Sequence, residues 1–180
     1  MPKTSRPLRV LALVFAALLI AVGSATPVQA ASKRERYYAF MEGFMRETAE
    51  LAAADAGYSL TPTHLGVLYS VANHPDMFSV ANSVCRIMRA AKTAPARKRA
   101  RRAFVKGLSE RIGELLLEVE QMDEPNFSEI DKYFTASVVS LLPAGALAGA
   151  GVVVCPDQAS HIKPMVIAYL KAVKPPSFGT

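Results

Sequence analysis

Twenty-three consecutive residues, Phe134 to Pro156, carry no formal charge, and they end on Cys155-Pro156. An amphipathic stretch from Gln158 to Val173 follows, so Cys155 stands at the hinge between two apolar segments. The only other cysteine is Cys85, 70 residues upstream. In an oxidising compartment these two sulfurs have only each other, and the late part of the chain is then tied to its middle; in a reducing one they are two buried thiols. Closing a loop of that size contributes about 4 kcal/mol in the chain-entropy description.

The compartment is argued from the first residues. Lys3, Arg6 and Arg9 make a positive start with no acid, Val10 to Val22 is an apolar run, and Val28-Gln29-Ala30 places small side chains where a signal peptidase cuts. The run would span roughly 20 Å as a helix, short of the ~30 Å hydrocarbon core an anchor must cross. The expectation is a secretory signal over 1–30, cleaved after Ala30, and a helical domain over 31–180; an uncleaved anchor is the competing reading. Cleavage removes three cations and no acid, so the formal charge falls from +6 to +3. The remaining chain is one ordinary domain in length and only mildly basic.

Periodicity along that domain is helical. Tyr37, Phe40, Met41, Phe44, Met45, Thr48, Leu51 and Ala52 recur at three- and four-residue steps from Lys33 to Ala54, and Gly57 is a natural stop. A short helix through Leu65, Leu68, Val71 and Ala72 is expected to be capped by Thr63. Pro75 breaks it, and Asp76 is expected to cap the next, in which Phe78, Ala81, Cys85 and Met88 share one stripe. That stripe points Cys85 inward.

The next helix repeats Phe104, Leu108, Ile112, Leu115, Leu116, Val119 and Met122. Its first half is basic and its second half acidic, with Glu110, Glu114, Glu118, Glu120, Asp123 and Glu124, an order that opposes the helix macrodipole. Contacts from another element or a partner would offset that cost. Pro125-Asn126 is expected to end this helix, and Ser128 with Asp131 three residues on resembles a capping box opening the next. Ile130, Tyr133, Phe134, Val138, Leu141 and Leu142 keep the helical period, whereas Pro143, Gly145, Gly149 and Gly151 predict that the helix fails before Ala150, with Val152 to Val154 extended. Ile162, Val166, Tyr169, Leu170 and Val173 form a last helix, closed by Pro175-Pro176. The fold class is all-α: a single compact domain of five or six helices.

A membrane span over 134–156 is the alternative for the uncharged tract, since it is long enough and Gly145-x-x-x-Gly149 matches a close-packing motif of membrane helices. Its Ala, Gly and Ser content, its one-sided period and Pro143 near its centre disfavour the span. A span would also separate Cys155 from Cys85.

Chemistry is sparse. His64, His74 and His161 are isolated in sequence, and no nucleophile elbow, phosphate loop, paired-cysteine or zinc-protease motif occurs. No cofactor, metal or catalytic group is expected. Arg97, Lys98, Arg99, Arg101 and Arg102 form the densest charge cluster, which is either a solvated helix face or a contact for an anionic partner, an acidic protein or lipid headgroups. Nucleic acid is not expected, because the tract has no interleaved aromatics.

Cys155-Pro156, the polar turn with Gln158, and Val166-Ile167-x-Tyr169-Leu170 with Pro175 resemble the carboxy-terminal signature of the Tai/Rap-type immunity proteins of bacterial type VI secretion systems. The resemblance covers about 20 residues. It implies a small, exported, mostly helical protein that blocks a sister cell's peptidoglycan-cleaving effector in the periplasm. The turn is two residues shorter than the family pattern and the middle carries a long basic–acidic helix, so no inhibitory residue carries over. A weaker likeness is to periplasmic acid-resistance chaperones, small helical proteins with one disulfide. The functional expectation is therefore an exported, non-enzymatic binding or inhibitor protein in the periplasm, with a cognate effector or envelope protein as partner. The alternative is a chaperone-like or envelope structural protein, periplasmic or associated with the inner membrane.

Overall fold

The structure is a computed structural model and describes residues 31–121 and 128–173. The leader expected over 1–30, Met122, Pro125-Asn126 and Pro175-Pro176 lie outside those residues. Among the described residues six α-helices follow one another: α1 (Lys33–Ala56), α2 (Pro62–Ala72), α3 (Pro75–Ala90), α4 (Ala94–Glu120), α5 (Glu129–Gly149) and α6 (Ala159–Ala172). A π-turn, Ala150–Val154, and a 3₁₀-turn, Pro156–Gln158, link α5 to α6. Together they make one compact all-α domain, and no strand occurs among the described residues.

Helix starts follow from side chains that take up otherwise orphaned N–H groups. Ser32 with Glu35, and Ser128 with Asp131, form reciprocal capping boxes on α1 and α5. Two expected caps shift by two residues. Thr61, not Thr63, caps α2, with Pro62 in the first helical position and His64 closing the box. The His74 ring accepts the Asp76 N–H, so His74 and not Asp76 caps α3. Gly57 ends α1 in the left-handed conformation, φ 76°.

α5 is the centre of the bundle and corrects the expectation of a break before Ala150. It runs through Pro143 to Gly149 and continues as the π-turn, in which the Cys155 N–H reaches back to the Ala150 carbonyl at 2.8 Å. Val152 to Val154 are helical, not extended. The reason is long-range. A Cβ added to Gly145 would stand 2.6 Å from Cδ1 of Phe44, and one on Gly149 would stand 2.7 Å from Cε2 of Tyr37. The two glycines, one turn apart, are the slots into which the aromatic stripe of α1 sinks. Close packing of the Gly145-x-x-x-Gly149 kind is used here inside the domain.

The same helix is long and apolar enough to cross a membrane over Ile130–Val154, at mean hydropathy 2.0, yet 67% of its most apolar window is buried within the domain. Every residue from Pro143 to Gly151 is buried. Near Pro143, which has no N–H to give, the buried Tyr169 hydroxyl of α6 donates to the Ser140 carbonyl at 2.8 Å. From α1, the Tyr37 hydroxyl donates to the Met77 carbonyl at 2.9 Å. Burial pushes both phenols up, so both remain neutral donors.

Candidate functional site: the disulfide clasp and the α1–α2 groove

The interior stripe of α3 carries Ala81, Val84, Cys85 and Met88, all buried, and the π-turn presents Cys155 to it. The two cysteines form a disulfide with Cα atoms 5.9 Å apart. Both sulfurs lie against the Ala150 carbonyl. A second tie crosses the same junction at the surface. Arg89, one turn after Cys85, clamps Asp157, two residues after Cys155, through bonds of 3.2 and 2.8 Å. The Arg89 hydrogen bonds, with one from Gln158, hold the Asp157 carboxyl well below the usual carboxylate range. The clasp and this clamp therefore fix where α6 begins relative to α3.

At the other end of the domain, two helix starts are latched to each other. The Thr61 N–H donates to Nδ1 of His64 at 3.3 Å, so Nε2 carries the imidazole proton and donates to Asp131 at 3.1 Å. Asp131 in turn takes the Ser128 hydroxyl at 2.5 Å and the Ser128 N–H at 2.9 Å. The third residue of each capping box thus binds the third residue of the other. The His64 ring stacks on Phe134 at 4.3 Å, with Tyr58 set edge-on.

A serine, an aspartate and a histidine in contact invite a catalytic reading, but the wiring is wrong for it. The hydroxyl is bonded to the carboxylate and not to the imidazole, so nothing activates it as a nucleophile. The group is a structural latch. The Ser128 and His64 hydrogen bonds hold the Asp131 carboxyl down at about 2. A carboxyl depressed in the fold adds stability above its unfolded value that is lost as pH falls through the folded one. Asp131→Asn is accordingly expected to lower the melting temperature at pH 7, with the gap to wild type closing between pH 4 and about 2. A gap unchanged down to pH 2 would remove the latch from the account.

The basic cluster is divided by the fold. Arg97 turns back and donates to the Ala91 and Lys92 carbonyls, both at 3.1 Å, capping the end of α3. Arg101 is half-buried, and Lys98, Arg99 and Arg102 point into solvent from the first turns of α4. Arg97 therefore belongs to the scaffold, while the last three remain available for an outside contact.

Sequence periodicity missed the most exposed apolar surface. Leu65 was counted in the apolar stripe of α2, but Leu68 and Ala72 face the core while Leu65 is 40% exposed and Tyr69, one turn on, is 62% exposed. Val67, on another face of the helix, is 46% exposed. Leu65 and Tyr69 form one wall of a groove of about 460 Å³ between α1 and α2, with Ala39, Gly43, Glu42 and Arg46 contributing from α1. Asn73 holds the wall in place by donating to Glu42 at 2.7 Å. The available signal was Tyr69 itself, an apolar residue one turn after Leu65 with no reason to lie outside the stripe unless something else covers it.

Among the described residues no cluster of three or more His, Cys, Asp or Glu is placed to hold a metal ion. Of the carboxy-terminal signature, Cys155, Val166 and Tyr169 are buried and serve the core, Gln158, Ile167 and Leu170 are half-buried, and Pro156 is exposed. No protein-family model, curated protein or solved structure matches the chain.

Proposed function

We propose that the mature chain is an exported, non-enzymatic protein that holds a protein partner on its α1–α2 edge, in the manner of an immunity protein that neutralises a cell-wall effector in the periplasm. The observation that carries this reading is the groove walled by Leu65 and Tyr69. Two large apolar side chains stand in water on a helix whose backbone is capped and latched, so the surface is preorganised for an apolar or aromatic anchor of a partner. Glu42 and Arg46 at the groove supply charges of both signs that would fix the partner's orientation.

The compartment is supported by the Cys85–Cys155 disulfide, which is compatible with an oxidising location, and by the secretory pattern over 1–30. The immunity role is supported by the carboxy-terminal resemblance. Because Cys155, Val166 and Tyr169 of that segment are core, the resemblance concerns mainly the scaffold and leaves partner choice to the exposed edge.

The test is affinity capture from the native cell envelope with mature wild type and with Leu65→Arg and Tyr69→Ala. One dominant companion is expected, its binding weakened more than about tenfold by either substitution with the melting temperature unchanged. If that companion is a cell-wall hydrolase, co-expression should protect cells from it. Weak, salt-sensitive capture of many clients would instead favour the chaperone-like alternative, and an unaltered complex with both variants would remove the groove as the contact.

A further inference from the structure

We infer that the outer face of α4 is an interface for a second copy of this chain, packed antiparallel about a two-fold axis that crosses the helix at the level of Leu108, on the side away from the core. α4 is 27 residues long, roughly 40 Å, and faces the core through Val105, Ile112 and Val119. On its opposite side Arg99, Ala103, Lys106, Glu110, Gly113 and Leu117 are all exposed, and their spacing is four, three, four, three, four. That is the spacing of a helix–helix seam, here with no other helix of the described residues against it.

The charges on this seam run from basic to acidic, so a parallel neighbour would set like against like. An antiparallel neighbour does the reverse at every level. Lys106 meets Glu110 of the second copy, Ala103 meets Gly113, and Arg99 meets Leu117, because each pair is symmetric about Leu108. The Ala103–Gly113 layer is small enough for close backbone approach, and a Cβ on Gly113 would meet nothing within 4 Å in a single copy. Leu117, 57% exposed, would be covered by the aliphatic stem of Arg99.

Within one copy the pattern is left largely unanswered. Lys106 reaches Glu110 at 3.7 Å and Arg111 reaches Glu114 at 2.8 Å, both at exposed positions. Lys98, Arg99 and Arg102 have no ion-pair partner among the described residues. The basic beginning and acidic end also oppose the dipole of α4, and an antiparallel second helix brings its acidic end to that basic beginning and its basic beginning to that acidic end. The acidic partner that the basic cluster lacks is the other half of the same helix.

The experiment is sedimentation of the mature, oxidised wild type, Lys106→Glu, Glu110→Lys and an equimolar mixture of the two variants, with melting curves to establish that each is folded. Wild type is expected to show a reversible monomer–dimer equilibrium that weakens with salt. Each variant alone places like charges together twice and should dimerise at least about tenfold more weakly, while the mixture should recover the wild-type constant. A wild type that stays monomeric to millimolar concentration, or a dimer indifferent to either variant, would overturn the assignment. So would a monomer that binds anionic lipid vesicles through Arg99 and Arg102, which would give the stripe to a membrane surface.

Discussion

Removing the Cys85–Cys155 bond is expected to destabilise the domain by about 4 kcal/mol, a fall in melting temperature of roughly 8–16 °C for a domain of this size. The linked residues are 70 apart, so the open chain regains a large loop's worth of freedom. The Cys85→Ala, Cys155→Ala pair is the suitable variant, because an alanine leaves no polar atom against the buried Ala150 carbonyl, whereas a serine or a reduced thiol places a new donor there. Loss should be local first. The link from the π-turn through the 3₁₀-turn is tied to α3 by the sulfur bridge and the Arg89–Asp157 clamp, and the clamp lies in water with both side chains about half exposed, 52% and 53%. Solvent screens surface pairs of that kind, and they contribute too little to replace the bridge. Amide exchange of Val152 to Cys155 should therefore accelerate more than that of α1. A melting temperature unchanged by reductant would mean that the bundle does not depend on its clasp.

The second large effect is expected at Gly149. A valine there would drive two methyl groups into the ring of Tyr37, already 2.7 Å from the position of a first carbon, and into Phe40 at 3.0 Å. Tyr37 has no room to retreat, since it is fully buried and its hydroxyl is committed to the Met77 carbonyl. Overpacking of this kind costs about 3 kcal/mol or more, against less than 1 kcal/mol of helix propensity recovered by leaving glycine. Gly145→Val should behave alike through Phe44. Gly66→Ala provides the control. It sits in α2 with open space around it, and alanine should raise stability there by about 0.5–1 kcal/mol. Equal effects at Gly149 and Gly66 in thermal unfolding would contradict the packing account.

These residues also mark the boundary of what the amino-acid order made legible. The inward aim of Cys85, the capping box at Ser128 and Asp131, and the stripe from Tyr37 to Thr48 are local patterns, and the structure keeps them. Gly145 and Gly149 were read as breakers because a glycine's local preference is against a helix, while its use here depends on rings about 100 residues away. Thr61-Pro62 is a stronger helix start than Thr63, proline being preorganised for the first helical position. The division of the basic cluster was not readable at all, since composition treats Arg97 and Arg99 alike and only the position of the end of α3 makes one of them a cap. The groove was hidden for a related reason: Leu65 and Leu68 are equally apolar, and which of them faces water is decided by where α1 lies.

The account's central proposal is a helical body displayed outside the cytosol with its two sulfurs joined. Intact-mass measurement of protein isolated from its native host, alkylated without reductant, tests it most directly. The account predicts a chain beginning at Ala31, two hydrogens lighter than the reduced form and carrying no alkyl group; a retained leader, or two alkylated cysteines, would contradict it.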